Sequence, residues 1–213
     1  RRKQPPSGKT GNDRPGSDNR WLYGHHPVIA ALNNPNRQPI RLVATENGAD
    51  ALAHLKAPIV REMEIVERED IEALLPPRAV HQGMALLAEP LLQTDIVDLM
   101  ALAQSDKHLL VVALDQVTDP QNIGAVMRSA AAFGAKAILV PDRNTPKTTG
   151  ALAKAASGAT ETVPLVRVQN LVRALEELKK AGFWIAGLTA DTPSEINATE
   201  LPDTCVLVLG AEG

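Results

Sequence analysis

Apolar residues fall along the chain in two rhythms. From Trp21 onward, short apolar clusters alternate between helical and strand spacing: Pro27–Leu32 reads as a helix opened by proline, Ile40–Ala44 as a strand, Ala49–Lys56 as a helix and Glu64–Val66 as a short strand. Asp70–Leu75 continues as a helix stopped by Pro76-Pro77, since proline supplies no amide hydrogen for another turn, and Met84–Ala88 closes the region as a strand. The pattern predicts a small α/β domain over 20–90. Residues 91–106 are acidic, carry one helix candidate at Asp95–Ala103, and read as a linker.

The second half, 107–213, is more regular. Strands are expected at Leu109–Leu114, Ala137–Val140, Val163–Val168, Trp184–Leu188 and Cys205–Leu209, with helices at Gln121–Phe133, Thr149–Ala156 and Asn170–Ala181 between them. Several of these strands are unbroken apolar runs, the mark of a parallel sheet covered by helices on both faces. Ligands of such sheets bind beyond the carboxyl ends of the strands, which directs attention to the segments after Leu114, Val140, Leu188 and Leu209.

Composition narrows the function classes. The net charge of −3 looks wrong for a nucleic-acid binder, but residues 1–20 carry +4 and leave −7 for the remainder. Residues 1–19 have no apolar periodicity and read as a flexible basic tail, a solubilising arm or a contact for RNA phosphates. Aromatic residues make up 2% of the chain, so stacking on bases would be thinly supplied. The single cysteine, Cys205, sits within an apolar run and is expected to be a buried strand residue in a reducing cytoplasm. No apolar stretch approaches the roughly 18 residues of a membrane span, so no membrane association is expected. The chain opens at Arg1 and stops at Gly213 directly after an apolar run, which reads as a fragment.

The usual signatures of chemistry are missing. After the Leu109–Leu114 strand the chain reads Asp115-Gln116-Val117-Thr118-Asp119-Pro120-Gln121-Asn122-Ile123-Gly124, not a dinucleotide fingerprint, and there is no triphosphate loop, zinc spacing or serine-hydrolase elbow. No metal is expected. A polar turn feeds a helix instead, with Asp119 or Gln121 at the cap, Asn122 and Gly124 in the first turn, and Ile123, Val126, Met127 and Ala130 as the buried stripe. Arg128 points away from that stripe. Taken alone, this reads first as a capped amphipathic helix with a surface arginine.

The wording of these segments decides further. Leu114 through Ala130 resembles the first motif of the SpoU (TrmH-like) RNA ribose 2′-O-methyltransferases, and Leu207-Val208-Leu209-Gly210-Ala211-Glu212-Gly213 resembles the start of their second. Lys154-Ala155-Ala156-Ser157-Gly158-Ala159-Thr160-Glu161 is similar to the family's central Ser/Gly/Ala segment. Tyr23-Gly24-His25-His26-Pro27-Val28 and His81-Gln82-Gly83 resemble the two ends of the small ribosomal-protein-like RNA-binding domain that many members carry. The two-domain layout is most similar to the bacterial large-subunit rRNA guanosine-2′-O-methyltransferase branch.

The resemblance implies an S-adenosyl-L-methionine-dependent enzyme acting on RNA, most readily 23S rRNA. It implies a trefoil-knotted (SPOUT-type) parallel-sheet domain, here truncated at its C-terminus, and, at full length, a homodimer with active sites at the subunit interface. Arg128 is the implied central catalytic residue, with Asn122 and Glu212 shaping the site. Gly210, Leu188, Thr189 and Ala190, at strand ends, are candidates to hold the cofactor. The third motif, completing the cofactor pocket and the knot, is expected beyond Gly213. Because arginine stays protonated, a charged Arg128 that grips the neighbouring phosphate and steadies the developing alkoxide is favoured, with a phosphate oxygen or water taking the proton. A tRNA 2′-O-methyltransferase and a non-catalytic RNA-binding or ribosome-assembly protein remain alternatives. His25, His26 and His81 have no metal spacing, and Arg41, Arg61 and Arg78 are further possible RNA contacts.

Overall fold

The two rhythms become two sheets. The computed structural model describes residues 20–54, 63–106, 108–143, 145–146, 148–189, 195 and 200–211; the basic segment 1–19 and Arg61 lie outside them. The first sheet holds β1 (Trp21–Tyr23), β2 (Pro39–Ala44), β3 (Met63–Ile65) and β4 (Met84–Ala88), with helices α1 (His25–Asn33), α2 (Glu46–His54) and α3 (Arg68–Leu74). Its order is β1-β4-β2-β3. Strand β4 runs antiparallel to both neighbours, while β2 and β3 are parallel. Alternation along β4 sends Met84 and Leu86 into a core with Val28, Leu42 and Leu52, and Ala85 into another with Trp21, Tyr23, Val43 and Ile71. Both faces of this small sheet are therefore covered.

Three boundaries differ from the periodicity for local reasons. Strand β1 is three residues long, too short to show a period. Helix α2 begins at Glu46, not Ala49: Gly48 weakens the helical signal, yet the Thr45 hydroxyl accepts from its amide at 3.2 Å and starts the turn. Helix α3 opens on a capping box in which the Glu67 amide donates to Asp70, and it ends at Leu74 because Leu75, preceding Pro76, is extended.

The second sheet holds β5 (Leu109–Asp115), β6 (Ala137–Pro141), β7 (Leu165–Val168), β8 (Trp184–Gly187) and β9 (Thr204–Gly210), with helices α4 (Ile96–Ser105), α5 (Pro120–Ala132), α6 (Gly150–Ala155) and α7 (Leu171–Lys180). The order is β7-β6-β5-β9-β8, with every pairing parallel. The chain steps outward from β5 to β7, crosses to the far edge for β8, and returns to place β9 against β5. One face packs Leu109, Val111 and Ala113 on Leu99 and Leu178; the other packs Val112 and Leu114 on Ile123, Met127 and Leu152. This double cover is why the strands read as continuous apolar runs. Cys205 is buried in β9, as its neighbours suggest.

Two readings change here. The acidic stretch 91–106 contains α4, capped by Asp95, and buries Leu99 in the core of the second sheet. The strand expected from Val163 starts at Leu165, because the Val163 amide is committed to the Ala159 carbonyl at 2.9 Å, closing a 3₁₀ turn at Ala159–Glu161. No helix among the described residues is long and apolar enough to cross a membrane.

The domains meet on α6 and the 3₁₀ turn. A β-carbon on Gly150 would stand 2.6 Å from the Tyr23 ring, so β1 approaches the start of α6 as only glycine permits. Ala153 joins the N-terminal core, whereas Leu152 and Ala156 join the C-terminal one. Glu161 receives Arg37 in a two-pronged pair, Nη2 to Oε1 at 2.6 Å and Nε to Oε2 at 3.1 Å, and Asn34 donates to Oε2 at 2.9 Å. The two ionic side chains are only 9% and 2% exposed. Removing one member strands a buried charge, so Arg37→Ala is expected to cost about 3–5 kcal/mol in urea denaturation, with Arg37→Met/Glu161→Leu recovering most of it.

His81 gives the N-terminal domain a pH dependence. Its Nδ1 accepts from the Gly83 amide at 3.2 Å, which puts the neutral ring's hydrogen on Nε2, 3.8 Å from Glu72 and without a hydrogen-bond partner. Burial, reinforced by Arg68, pushes its pKa below 6.5, against the opposing pull of Glu72. The unfolded chain therefore takes up the proton first, and stability present above pH 6.5 is lost as pH falls below it. Thermal midpoints from pH 7.5 to pH 5 should fall less steeply in His81→Gln than in the parent.

Candidate active site

The reversal of strand order lies between β5 and β9, the place where parallel sheets leave a crevice beyond their strand ends. The two strands pair over seven residues, from Leu109 opposite Thr204 to Asp115 opposite Gly210, and the Ala211 amide extends the ladder to the Asp115 carbonyl at 3.0 Å. Beside Asp115 a cleft of about 350 Å³ opens over the ends of β5 and β6, lined by Asp115, Gln116, Val117, Thr118, Pro141, Arg143 and Thr145. Gln116 holds a left-handed backbone, φ 58°, a strained conformation of the kind found at binding sites. The β6 side of the cleft is braced by Arg167 of β7, which donates to the carbonyls of Thr145 and Pro146 and lies 3.7 Å from Asp142.

Helix α5 leaves this cleft. Pro120 occupies its first turn and Asp119 caps it by accepting from the Asn122 amide at 3.0 Å. Ile123, Met127 and Ala130 are buried as the spacing predicts; Val126 is half-buried, and Gly124 takes the remaining buried place. A β-carbon on Gly124 would lie 2.5 Å from the Ala155 β-carbon, so α5 and α6 touch backbone to backbone there. That closeness serves Arg128. Though exposed, it donates from Nη1 to the Ala155 carbonyl at 2.7 Å, satisfying one of the open carbonyls at the end of α6. One of five guanidinium donors is thereby fixed and the others are left for a ligand.

The expected site residues are only partly gathered. Asn122 and Arg128 share α5 but stand about 9 Å apart along its axis and about 120° apart around it. Leu188, Thr189 and Gly210 lie at the ends of neighbouring strands, with the Leu188 amide bonded to the Val208 carbonyl at 2.9 Å. Among the described residues, β-carbons added on Gly187 and Gly210 would meet nothing within 4 Å, and Leu188 is 41% exposed. Glycine backbone beside an exposed apolar side chain suits a flat heteroaromatic group such as the adenine of S-adenosylmethionine. Glu212 and Ala190 lie outside the described residues. Among those described, no group of three or more His, Cys, Asp or Glu is placed to hold a metal ion.

Sequence reasoning located the cleft without finding all of its residues. Arg143 and Thr145 follow Val140, as expected for a strand-end segment, but nothing in the spacing singles them out. Arg167 carried a signal: a lone charge inside the apolar strand Leu165–Val168 needs a buried task. Arg41, a possible RNA contact, has a side chain 41% exposed and pairs with Glu64 at 2.7 and 2.9 Å.

Comparison with known proteins agrees with this architecture. Residues 109–213 match the SpoU rRNA Methylase family, and residues 21–94 match the domain described as RNA 2′-O ribose methyltransferase substrate binding. The SpoU methyltransferase AviRb from Streptomyces viridochromogenes, solved in complex with the cofactor AdoMet, superposes with a TM-score of 0.67 at 18% identity, covering 90% of this chain and 73% of that one, and so shares the fold. The chain belongs to the SpoU rRNA methylase family. It is 36% identical over 199 residues to the 23S rRNA (guanosine-2′-O-)-methyltransferase RlmB of Vibrio cholerae, covering 92% of this chain and 80% of that protein. It is likewise 36% identical over 202 residues to an uncharacterized tRNA/rRNA methyltransferase from Synechocystis, covering 90% of this chain but spanning about half (51%) of that relative's length.

The Gly124 contact can be tested directly. Gly124→Ala should push α5 from α6, costing about 1–3 kcal/mol in chemical denaturation, and should lower turnover by releasing Arg128 from Ala155. Loss of stability with full turnover would show that the Arg128 bond has no part in activity.

Proposed function

We propose that the protein transfers a methyl group from S-adenosyl-L-methionine to the ribose 2′-hydroxyl of a guanosine in 23S rRNA, in the cytoplasm. The observation that carries this is the pairing of β5 with β9: the segments resembling the first and second family motifs, distant in sequence, meet at the crevice of the second sheet. The names of the relatives, and the substrate-binding domain preceding the catalytic one, support the choice of ribosomal RNA. The trefoil knot, the closed cofactor loop and the homodimer belong to the same reading.

Within it, Gly210, Leu188, Thr189 and Ala190 would hold the cofactor. When bound, S-adenosylmethionine supplies an electrophilic methyl on a positively charged sulfur. Arg128 supports the attacking oxygen. Its planar guanidinium, oriented by Ala155, presents its remaining donors to the phosphate beside the target ribose and to the negative charge growing on the 2′-oxygen. The proton leaves to a phosphate oxygen or water, since a charged arginine cannot accept it. Asn122 and Glu212 shape the ribose side. An exposed Arg128, well along α5 from the strand ends, is what a site completed by a second subunit requires.

Arg128→Lys keeps the charge and loses the planar fork. Turnover on a 23S rRNA transcript should fall by about 10²–10³ while S-adenosylmethionine binding by calorimetry is unchanged. Near-full turnover would remove the clamp role; absence of cofactor binding by the parent protein would remove the enzyme reading.

A further inference from the structure

Three segments that share no secondary element converge on one point of the domain seam. Gly24, in the turn between β1 and α1, is buried with φ 87°, and a β-carbon there would sit 2.9 Å from the Gln82 side-chain oxygen and against the Lys154 ammonium. Gln82, just before β4, holds a left-handed backbone at φ 54°. Its side-chain oxygen accepts from the His25 amide at 3.2 Å and from Lys154 Nζ. Lys154 comes from α6 of the other domain. Gly24, Gln82 and Lys154 each belong to a segment whose wording resembles the family, and the catalytic reading assigns none of these three residues a role.

Lys154 is the anomaly in this cluster. It is half-buried, and among the described residues it forms no ion pair; its one partner is a neutral amide oxygen. A tether between domains needs no charge: a neutral donor of similar length would satisfy Gln82 without desolvating a cation. Burial lowers the Lys154 pKa, with no carboxylate opposing it. The ammonium keeps two further hydrogens for an acceptor. The domain that supplies its partner Gln82 is the one that matches the RNA 2′-O ribose methyltransferase substrate-binding family, and the next residue, Ala155, holds Arg128. Stacking cannot supply much of the grip, because Trp21, Tyr23 and Phe183 are buried in the cores and leave only Phe133 and Trp184 exposed among the aromatic side chains.

We infer that Lys154, oriented by Gln82 over Gly24, is a binding residue for an RNA backbone phosphate that bridges the two domains near the target nucleotide. The inference rests on the methyltransferase reading above. It makes the seam part of the RNA path: one α6 residue reaches the phosphate chain and the next fixes the catalytic arginine. Glu161, at the end of the same segment, is paired with Arg37, and among the described residues no carboxylate pairs with Lys154.

The test is the salt dependence of binding to a 23S rRNA transcript by the full-length protein, with Lys154→Gln and Lys154→Arg. Each phosphate contact contributes roughly 0.7–0.9 to the slope of log affinity against log salt. Lys154→Gln is expected to lose about that much slope and to bind about five- to tenfold more weakly at low salt, with Lys154→Arg restoring the slope and S-adenosylmethionine affinity unchanged in both. An unchanged slope in Lys154→Gln overturns the inference while leaving the methyltransferase reading intact. If Lys154→Gln does not fold, acylation of the parent protein decides: RNA should shield Lys154 from an amine-reactive reagent, and unaltered labelling overturns the inference. A parent protein that binds no rRNA overturns both readings.

Discussion

Helix α6 and the turn after it are held from both sides, and the geometry of the rest follows from that clasp. Gly124 lets α5 press on Ala155, and Gly150 lets β1 press on the start of the helix. Glu161 is locked to Arg37, and Ala153 is buried in the core of the other domain. A short helix of small residues is thus shared property, belonging to two cores at once. Alanine and glycine dominate Gly150–Gly158 because larger side chains would separate the layers that meet there.

The clasp explains how an exposed arginine is given a defined orientation. On a free helix surface a long side chain samples many rotamers at little cost. Here a carbonyl at the end of α6, left open by helix geometry, accepts one guanidinium donor and restricts the rest. Any displacement of α6 relative to α5 would be felt at Arg128. The N-terminal domain, bound to the far side of α6 through Arg37, Tyr23 and Gln82, is mechanically in contact with the candidate catalytic group. The ionic pair within that contact adds little net stability, since burying two charges offsets much of their attraction.

How much of this was legible in the sequence depended on range. Ile40–Ala44 and Met84–Ala88 were readable because each strand is bounded by turns and packs on both sides, and the β5–α5 unit because its caps and stripe are local. Trp21–Tyr23 was not, because three residues carry no period and this strand exists only through β4 and α6. Val163 reads as a strand residue until the Ala159 carbonyl, four residues earlier, claims its amide. In the site, the strand-end segments were legible as places, and Asn122 and Arg128 as candidates. The acceptor of Arg128, the brace from Arg167 and the meeting of Gln82 with Lys154 depend on contacts between distant segments, for which spacing carries no signal.

The return of β9 to the middle of the sheet also constrains how the chain is made. Strand β5 pairs with β6 soon after synthesis, but its other edge has no partner until residues 204–210 appear, nearly a hundred residues later. During that interval an apolar, unprotected edge with Leu110, Val112 and Leu114 is open to pairing with any passing strand. The small N-terminal sheet has all four of its strands by residue 88, but its core still lacks Ala153 of α6. Both domains of a nascent chain therefore wait on later residues, and the strand edge left open longest is the one on which the candidate site is assembled.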